Sequence, residues 1–472
     1  MEKSKLFGLY RKLNKRERRR FRAFVYSPYY NKNEFVIRLL DFTEDFLEGR
    51  AMGDGSANAA MKAVLPARRQ CKKQFAYLQS ELLQLLERFL GLEHYHQQAH
   101  RAEIDILSAL LEKNATKHLD SRYRRTRERL QRERQDSVGK YERSFALSRL
   151  ATVKDISRRL RTKGSHLQQA SDDLDFFYFA SKLQYGCEML NRERILNMTY
   201  DTTTTALIAE YLDQMDDLPL LIKLYLHIYK TYRDPEDELA YEELIRLIYL
   251  HKGDIHKDEM RTILLYAINH GQRKVRHADK GTYLRKLLGL FKIGLRERFL
   301  FQGKYLSHWT YSNAALVGLN LREYAWTEDF IVRYRNHLEP ATRDDPYHYM
   351  LANMYYHKGE YEKVLDLLRA LKFVDMQYHM GARVILIKTF YSTGALESLL
   401  SLLASFSVYL RRNKQISPGL KKTYLNFCHL LHQILKVKPA DREKLLMRIR
   451  ETEPLAERSW LEKVHQVWNP PD

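Results

Sequence analysis

The sequence predicts an all-α protein, on three observations. Leu, Arg, Tyr, Glu and Lys recur throughout, while 19 Gly and 11 Pro are too few in 472 residues to punctuate a many-stranded sheet. Apolar residues return at three- and four-residue intervals along most of the chain. Beyond residue 165 the helical segments follow one another in pairs, parted by short polar breaks. With 44% hydrophobic and 29% charged residues there is apolar material for two or three ordinary cores, which excludes a disordered tail protein.

In chain order, residues 3–26 read as one helix, with Leu6, Leu9, Tyr10, Leu13, Phe21, Phe24 and Val25 at near-helical spacings; a break near Asn14 would make it two. Ser27-Pro28 ends it, because proline lacks an amide donor and pushes the preceding residue out of the α region. Asn31 and Glu34 have the spacing of a capping box for a second helix to about Leu47, with a core face of Phe35, Leu39, Phe42 and Phe46. Gly49 to Ala60 reads as a small-residue loop. A third helix, from about Arg69 to Leu92, carries the stripe Phe75, Leu78, Leu82, Leu85, Leu86, Phe89 and Leu90. Together these make a small basic helical N-terminal module over residues 1–95. Residues 96–164 form a helical connector in which Arg122, Arg124, Arg125, Arg127, Arg129, Arg132 and Arg134 face only Glu128 and Glu133 within thirteen residues. Such a stretch is either a solvated helix or a surface that meets an anion.

Residues 165–472 read as successive helical hairpins, with breaks at 197–204, 213–219, 233–238, 251–258 and 271–281. In residues 346–371, Leu351, Ala352 and Tyr355 occupy first-helix packing positions, Gly359 and Tyr361 the turn, and Val364 and Leu368 the second helix. Gly394 lies 35 residues beyond Gly359, after Leu386, Ile387 and Phe390 and before Leu399 and Leu403. Tyr324 lies 37 residues before Tyr361, between Ala315 and Ile331, in a hairpin over 311–338. A small residue lets paired helices approach, aromatic rings fill the gap, and glycine permits a left-handed turn. This segment resembles a tetratricopeptide repeat, which implies a tetratricopeptide-like α-solenoid. Leu167 to Leu196 looks like a degenerate earlier member, and the helix around Trp460 and Trp468 like a cap. At whole-chain scale the sequence also resembles a family of uncharacterised bacterial proteins of similar size and helical-repeat build. Its matching features are Arg18-Arg-Arg-Phe-Arg-Ala-Phe, Ser27-Pro-Tyr-Tyr-Asn-Lys-Asn, Cys187-Glu-Met-Leu-Asn-Arg and Glu323-Tyr-Ala-Trp-Thr-Glu-Asp-Phe-Ile. The resemblance implies an architecture and leaves function to the residues.

The net charge of +21 is unevenly spread. Residues 1–170 hold 37 Lys and Arg against 20 Asp and Glu, while the rest hold 43 against 39, so the positive field belongs to the front third. Cys71, Cys187 and Cys428 are too far apart for a disulfide framework, no signal peptide precedes the first basic cluster, and no apolar run approaches the roughly 20 residues of a membrane span. A cytoplasmic protein is expected.

No catalytic constellation stands out. His94, His96 and His100 could set two imidazoles on one helix face, without an acidic third ligand. Gly53-Asp-Gly55 lacks the rest of a phosphate loop, and Asp172-Asp173-Asp175 and Asp234 to Glu238 suit helix starts better than catalysis. The expectation is a non-enzymatic protein without metal or cofactor. Two surfaces remain. On the concave face of the repeats, Asn313, Asn320, Tyr349, Asn353, Tyr356, His357, Lys388 and Tyr391 suit a peptide or helix from a protein partner. In the first helices, Arg11, Lys12, Lys15, Arg16, Arg18, Arg19, Arg20 and Arg22, flanked by Tyr10, Tyr26, Tyr29 and Tyr30, offer charge and stacking platforms to a polyanion. The expected function is a protein-interaction scaffold; the alternative is a nucleic-acid-associated protein, with an anionic membrane surface third.

Overall fold

The structure, a computed structural model, describes residues 4–49, 57–66, 71–157, 165–196, 198–275, 280–370, 374–436 and 441–467. Among the described residues the fold is all-α, apart from one antiparallel pair, β1 (Phe301–Gln302) and β2 (Tyr305–Leu306), joined through Gly303 at φ +61°. The Gly53-Asp-Gly55 pair and Trp468 lie outside the described residues. Contacts divide the chain into two units, Met1–Arg134 with Val138–Tyr178, and Gln135–Ser137 with Phe179–Asp472.

The first unit begins with α1 (Lys5–Tyr10) and α2 (Lys15–Tyr26). The break near Asn14 is real because Asn14 caps α2: its side chain accepts from the Arg16 and Glu17 amides at 2.9 and 3.0 Å, and Glu17 accepts from the Asn14 amide at 2.8 Å. After Pro28, α3 (Glu34–Leu47) is capped by Asn33, not Asn31. Asn31 is buried instead and ties the turn together, donating to the Val25 carbonyl at 3.1 Å. The core face of α3 is Val36, Leu39, Leu40 and Thr43, a correction to the phenylalanine-rich face expected. Thr43 can be buried because its hydroxyl donates to the Leu39 carbonyl at 2.7 Å, while Phe35 and Phe42 pack at the margin and Phe46 meets Phe7. The expected Gly49–Ala60 loop is also corrected: α4 (Ala57–Val64) starts inside it, where the alanines favour helix and Ala60 and Val64 enter the core. The predicted stripe of α5 (Lys72–Gln97) is buried from Phe75 to Phe89. The helices α6 (Ala99–Glu112), α7 (Thr116–Arg132) and α8 (Val138–Ser157) share a thin core of Leu107, Leu119, Leu147 and Leu150.

The helix α9 (Ser165–Leu196) is continuous, which corrects the hairpin expected over Leu167–Leu196. Gly186 makes no turn there; lacking a Cβ, it lets Thr205 approach. In the second unit follow α10 (Thr203–Asp213), α11 (Leu220–Arg233), α12 (Glu238–Leu250), α13 (Lys257–Lys274) and α14 (Lys280–Arg296). Next come α15 (His308–Asn320), α16 (Tyr324–Tyr334), α17 (Asp344–Lys358), α18 (Tyr361–Ala370), α19 (Met376–Ser392) and α20 (Leu396–Arg412). The chain closes with α21 (Pro418–Lys436), α22 (Arg442–Glu451) and α23 (Arg458–Val467). Helices pack in consecutive pairs, and the first helices of neighbouring pairs also meet: α11 on α13, α15 on α17, α17 on α19.

Three of these pairs share one turn. Arg322, Gly359 and Gly394 are left-handed, at φ +60°, +78° and +71°. In each, the next amide bonds the carbonyl five residues back: Glu323 to Gly318, Glu360 to Tyr355 and Ala395 to Phe390, all at 2.9 Å. Buried tyrosines then pin helix to helix, as Tyr232 donates to the Tyr266 carbonyl at 3.0 Å, Tyr241 to Ala267 at 3.0 Å and Tyr311 to Ile331 at 2.8 Å. Where α17 and α19 cross, a Cβ on Gly381 would stand 2.7 Å from the Tyr349 ring. Gly381→Ala is therefore expected to cost about 1–3 kcal/mol by overpacking. Urea unfolding measures it, and an unchanged midpoint would show that the helices have room to part.

Candidate functional site

The candidate surface is built from the first helices of successive pairs in the second unit. Asn320, exposed at the end of α15, donates to the Leu316 carbonyl at 2.8 Å. Tyr356 and His357, in the last turn of α17, are half-buried, and the His357 carbonyl accepts from Tyr324 at 3.0 Å. These three residues line a cavity of about 640 Å³ together with Gly281, Leu284 and Lys463. On α19, the Lys388 side chain is 13% exposed; its ammonium lies 4.9 Å from the Tyr356 ring centre and bonds Glu457 at 2.9 Å. Tyr391 packs edge-on against Trp460 at 5.4 Å.

The remaining residues proposed from sequence lie elsewhere. Tyr349 is packed against Gly381, and burial pushes its hydroxyl pKa up. Asn353 is buried and donates to the Tyr349 carbonyl of its own helix at 2.9 Å, so neither is left to meet a ligand. Asn313 is half-buried on α15 and does not line the cavity. Sequence reasoning missed Glu457 and Lys463 as surface partners. Their signal was the three-residue spacing Glu457, Trp460, Lys463, of which Trp460 and Lys463 fall one turn apart on α23 and Glu457 immediately precedes it.

The basic cluster of the first unit divides in two. Arg20 pairs with Glu93 at 2.6 Å, Arg22 pairs with Asp41 and Glu44, and Arg18 lies over the Tyr10 ring. Arg11, Lys12, Lys15, Arg16 and Arg19 are exposed and make no ion pair with a described residue. Of the flanking aromatics, Tyr10 is wholly buried and cannot be a platform, a correction that follows from its place against Phe21. Tyr30 is stacked on Phe24, Tyr26 donates to Asp41, and Tyr29 stands 82% exposed.

On α7, Arg122 grips Glu103 through two bonds of 2.7 and 3.0 Å, while Arg124, Arg127 and Arg129 make no ion pair with a described residue. The acidic clusters are structural. Asp173 accepts from Ser144 at 3.0 Å and Gln169 at 3.1 Å well inside α9, not at a helix start as expected, while Asp237 caps α12 and Glu236 and Glu238 clasp Lys274. His94 bonds Gln98, and no group of three or more His, Cys, Asp or Glu among the described residues could hold a metal ion. No described helix is long and apolar enough to cross a membrane.

No protein-family model matches the sequence, and no curated protein or solved structure is significantly similar to it.

The Arg122 hydrogen bonds hold the Glu103 carboxyl below the usual carboxylate range against the opposing effect of burial. A depressed folded pKa gives stability that is present above the unfolded value and lost as pH falls through the folded one. Glu103→Gln is thus expected to cost about 1 kcal/mol at neutral pH. The difference from wild type should close as the pH drops below about 4. Urea titrations at both pH values test it, and a pH-independent difference would assign the loss to packing.

Proposed function

We propose that this protein is a non-enzymatic, cytoplasmic interaction scaffold, a tetratricopeptide-like array that receives a helix or peptide of a partner protein on its concave face. The observation that carries this reading is the gathering of Asn320, Tyr356 and His357, from two first helices, around one open cavity, with Lys388 of a third first helix set against the Tyr356 ring. Amides and imidazole supply bonds to a ligand's polar groups, and a tyrosine and a lysine stem supply rigid contact area. Selection of displayed peptides on the full chain tests the reading. Selected sequences should bind the Tyr356→Ala protein at least about tenfold more weakly, the cost of losing an aromatic anchor. Equal binding to both proteins would remove the face from the function.

A second reading concerns the first unit, where five cations lie free of described ion pairs and Tyr29, beyond the end of α2, is exposed. Phosphates of a single-stranded nucleic acid would meet charge and a stacking ring there. Reversing Arg16 and Arg19 to Glu should weaken binding of labelled single-stranded RNA regardless of sequence and flatten its salt dependence. Anisotropy titrations at about 50 and 200 mM salt read both quantities. An unaltered salt slope would assign these cations to solvent.

A further inference from the structure

The face described above is already occupied along part of its length by the chain's own C-terminal segment. Asn426 of α21 donates to the Pro454 carbonyl at 2.8 Å, and Lys388 of α19 bonds Glu457 at 2.9 Å. The Trp460 ring meets Tyr391 of α19 at 5.4 Å and Phe427 of α21 at 6.1 Å. Lys463 reaches the cavity shared by Tyr356 and His357 of α17 and Asn320 of α15. The contact positions advance by three along the segment while their partners step back from α21 through α19 to α17 and α15. A helix added simply as the next member of the array would meet the last pair alone. This one packs on α21 and α22 and in addition reaches first helices further back, through Glu457, Trp460 and Lys463, as a bound ligand does.

The electrostatics of the crossing are those of a recognition contact. Lys388 is mostly covered, its ammonium 4.9 Å from the Tyr356 ring centre and 5.9 Å from that of Trp460. A cation covered in this way leaves a large penalty if its carboxylate is withdrawn, so whatever lies on the face must bring an acid to this point. Glu457 brings it from a left-handed backbone position, φ +54°, that a non-glycine residue adopts only when its surroundings hold it there. The segment is also anchored on the last helices: Leu461 and Val464 enter the core beside Phe427, Leu445 and Ile449, and Arg442 donates to the His465 carbonyl at 2.6 Å.

We propose that α23 is the resident ligand of this face and that an amphipathic helix of a partner protein displaces it. The partner helix carries the same order of groups: a carboxylate for Lys388, an aromatic ring three residues later for Tyr391 and Phe427, and a cation three residues beyond for the cavity. The proposal rests on the docking reading above and adds its regulation and the chemistry of its partner.

The test uses the full-length protein and a fluorescein-labelled peptide of residues 452–467. Glu457→Lys sets two cations against each other and should release α23, seen as loss of hydrogen-exchange protection over 458–467. The released protein should bind the peptide at least tenfold more tightly than wild type does. Restoring the pair with the charges exchanged, Lys388→Glu with Glu457→Lys, should return protection over 458–467. If Glu457→Lys disturbs the fold by circular dichroism, Glu457→Gln, which only removes the ion pair, is used in its place. Loss of protection without any gain in peptide affinity, while displayed helices still require Tyr356, overturns the resident-ligand proposal and leaves the docking face standing. Failure of both the peptide and the displayed helices to bind overturns both. A dimer that exchanges α23 between copies overturns the assignment to a different partner.

Discussion

The second unit depends on one backbone constraint, the left-handed residue that closes each of three consecutive helix pairs. A helical pair buries one side of each helix against its mate and leaves another bare, so it is stable only when a further pair stacks on it. Stacking needs every pair to turn by the same amount. The same bond pattern at Arg322, Gly359 and Gly394 sets that turn, and the φ near +60° to +78° is what glycine accepts without strain. Tyrosine hydroxyls add further ties between helices, from Tyr232 and Tyr241 to carbonyls of α13 and from Tyr311 to one of α16.

The geometry that closes the pairs also decides which side chains are left for binding. Residues near the middle of a first helix face the neighbouring first helix, which is why Tyr349 is consumed by the contact with α19, while Asn353 is buried and spends its amide on the Tyr349 carbonyl of its own helix. Residues in its last turn project past that contact. Asn320, Tyr356 and His357 all belong to last turns and therefore gather at one level of the array. Lys388, in the last turn but one of α19, reaches the same level through its long stem.

Much of this was legible in the sequence. Helical spacing located the buried stripe of α5, and glycine spacing located the turns at 359 and 394, because both signals are local and each residue reports its own environment. Signals that depend on a distant partner were not legible. The side of α3 that faces inward is chosen by what packs on it, and Thr43 entered the core through a bond to its own helix, which hydrophobic patterning scores as polar. Gly186 reads as a turn residue in isolation, and only the neighbouring Thr205 shows that it marks a close approach within one long helix. For the candidate site, the residue types were visible, but which of them turn outward is a matter of position within the helix. That Lys388 already has a carboxylate depends on Glu457, 69 residues away in the chain.

The two sets of cations lie in opposite electrostatic surroundings. On α2 the unpaired side chains stand in water, where attraction reaches about a Debye length and each partner charge counts nearly equally, so such a surface gathers polyanions without discriminating among them. Lys388 is almost covered by aromatic rings, where attraction is stronger at short range and an absent or misplaced carboxylate leaves a buried cation uncompensated. A surface of the first kind raises encounter rates and yields to salt, whereas one of the second kind sets which helix fits and is screened little. Under the proposed function, the +21 net charge, concentrated in the front third, bears on how an anionic partner would be met, and the ion pair of Lys388 with Glu457 on which helix would occupy the face.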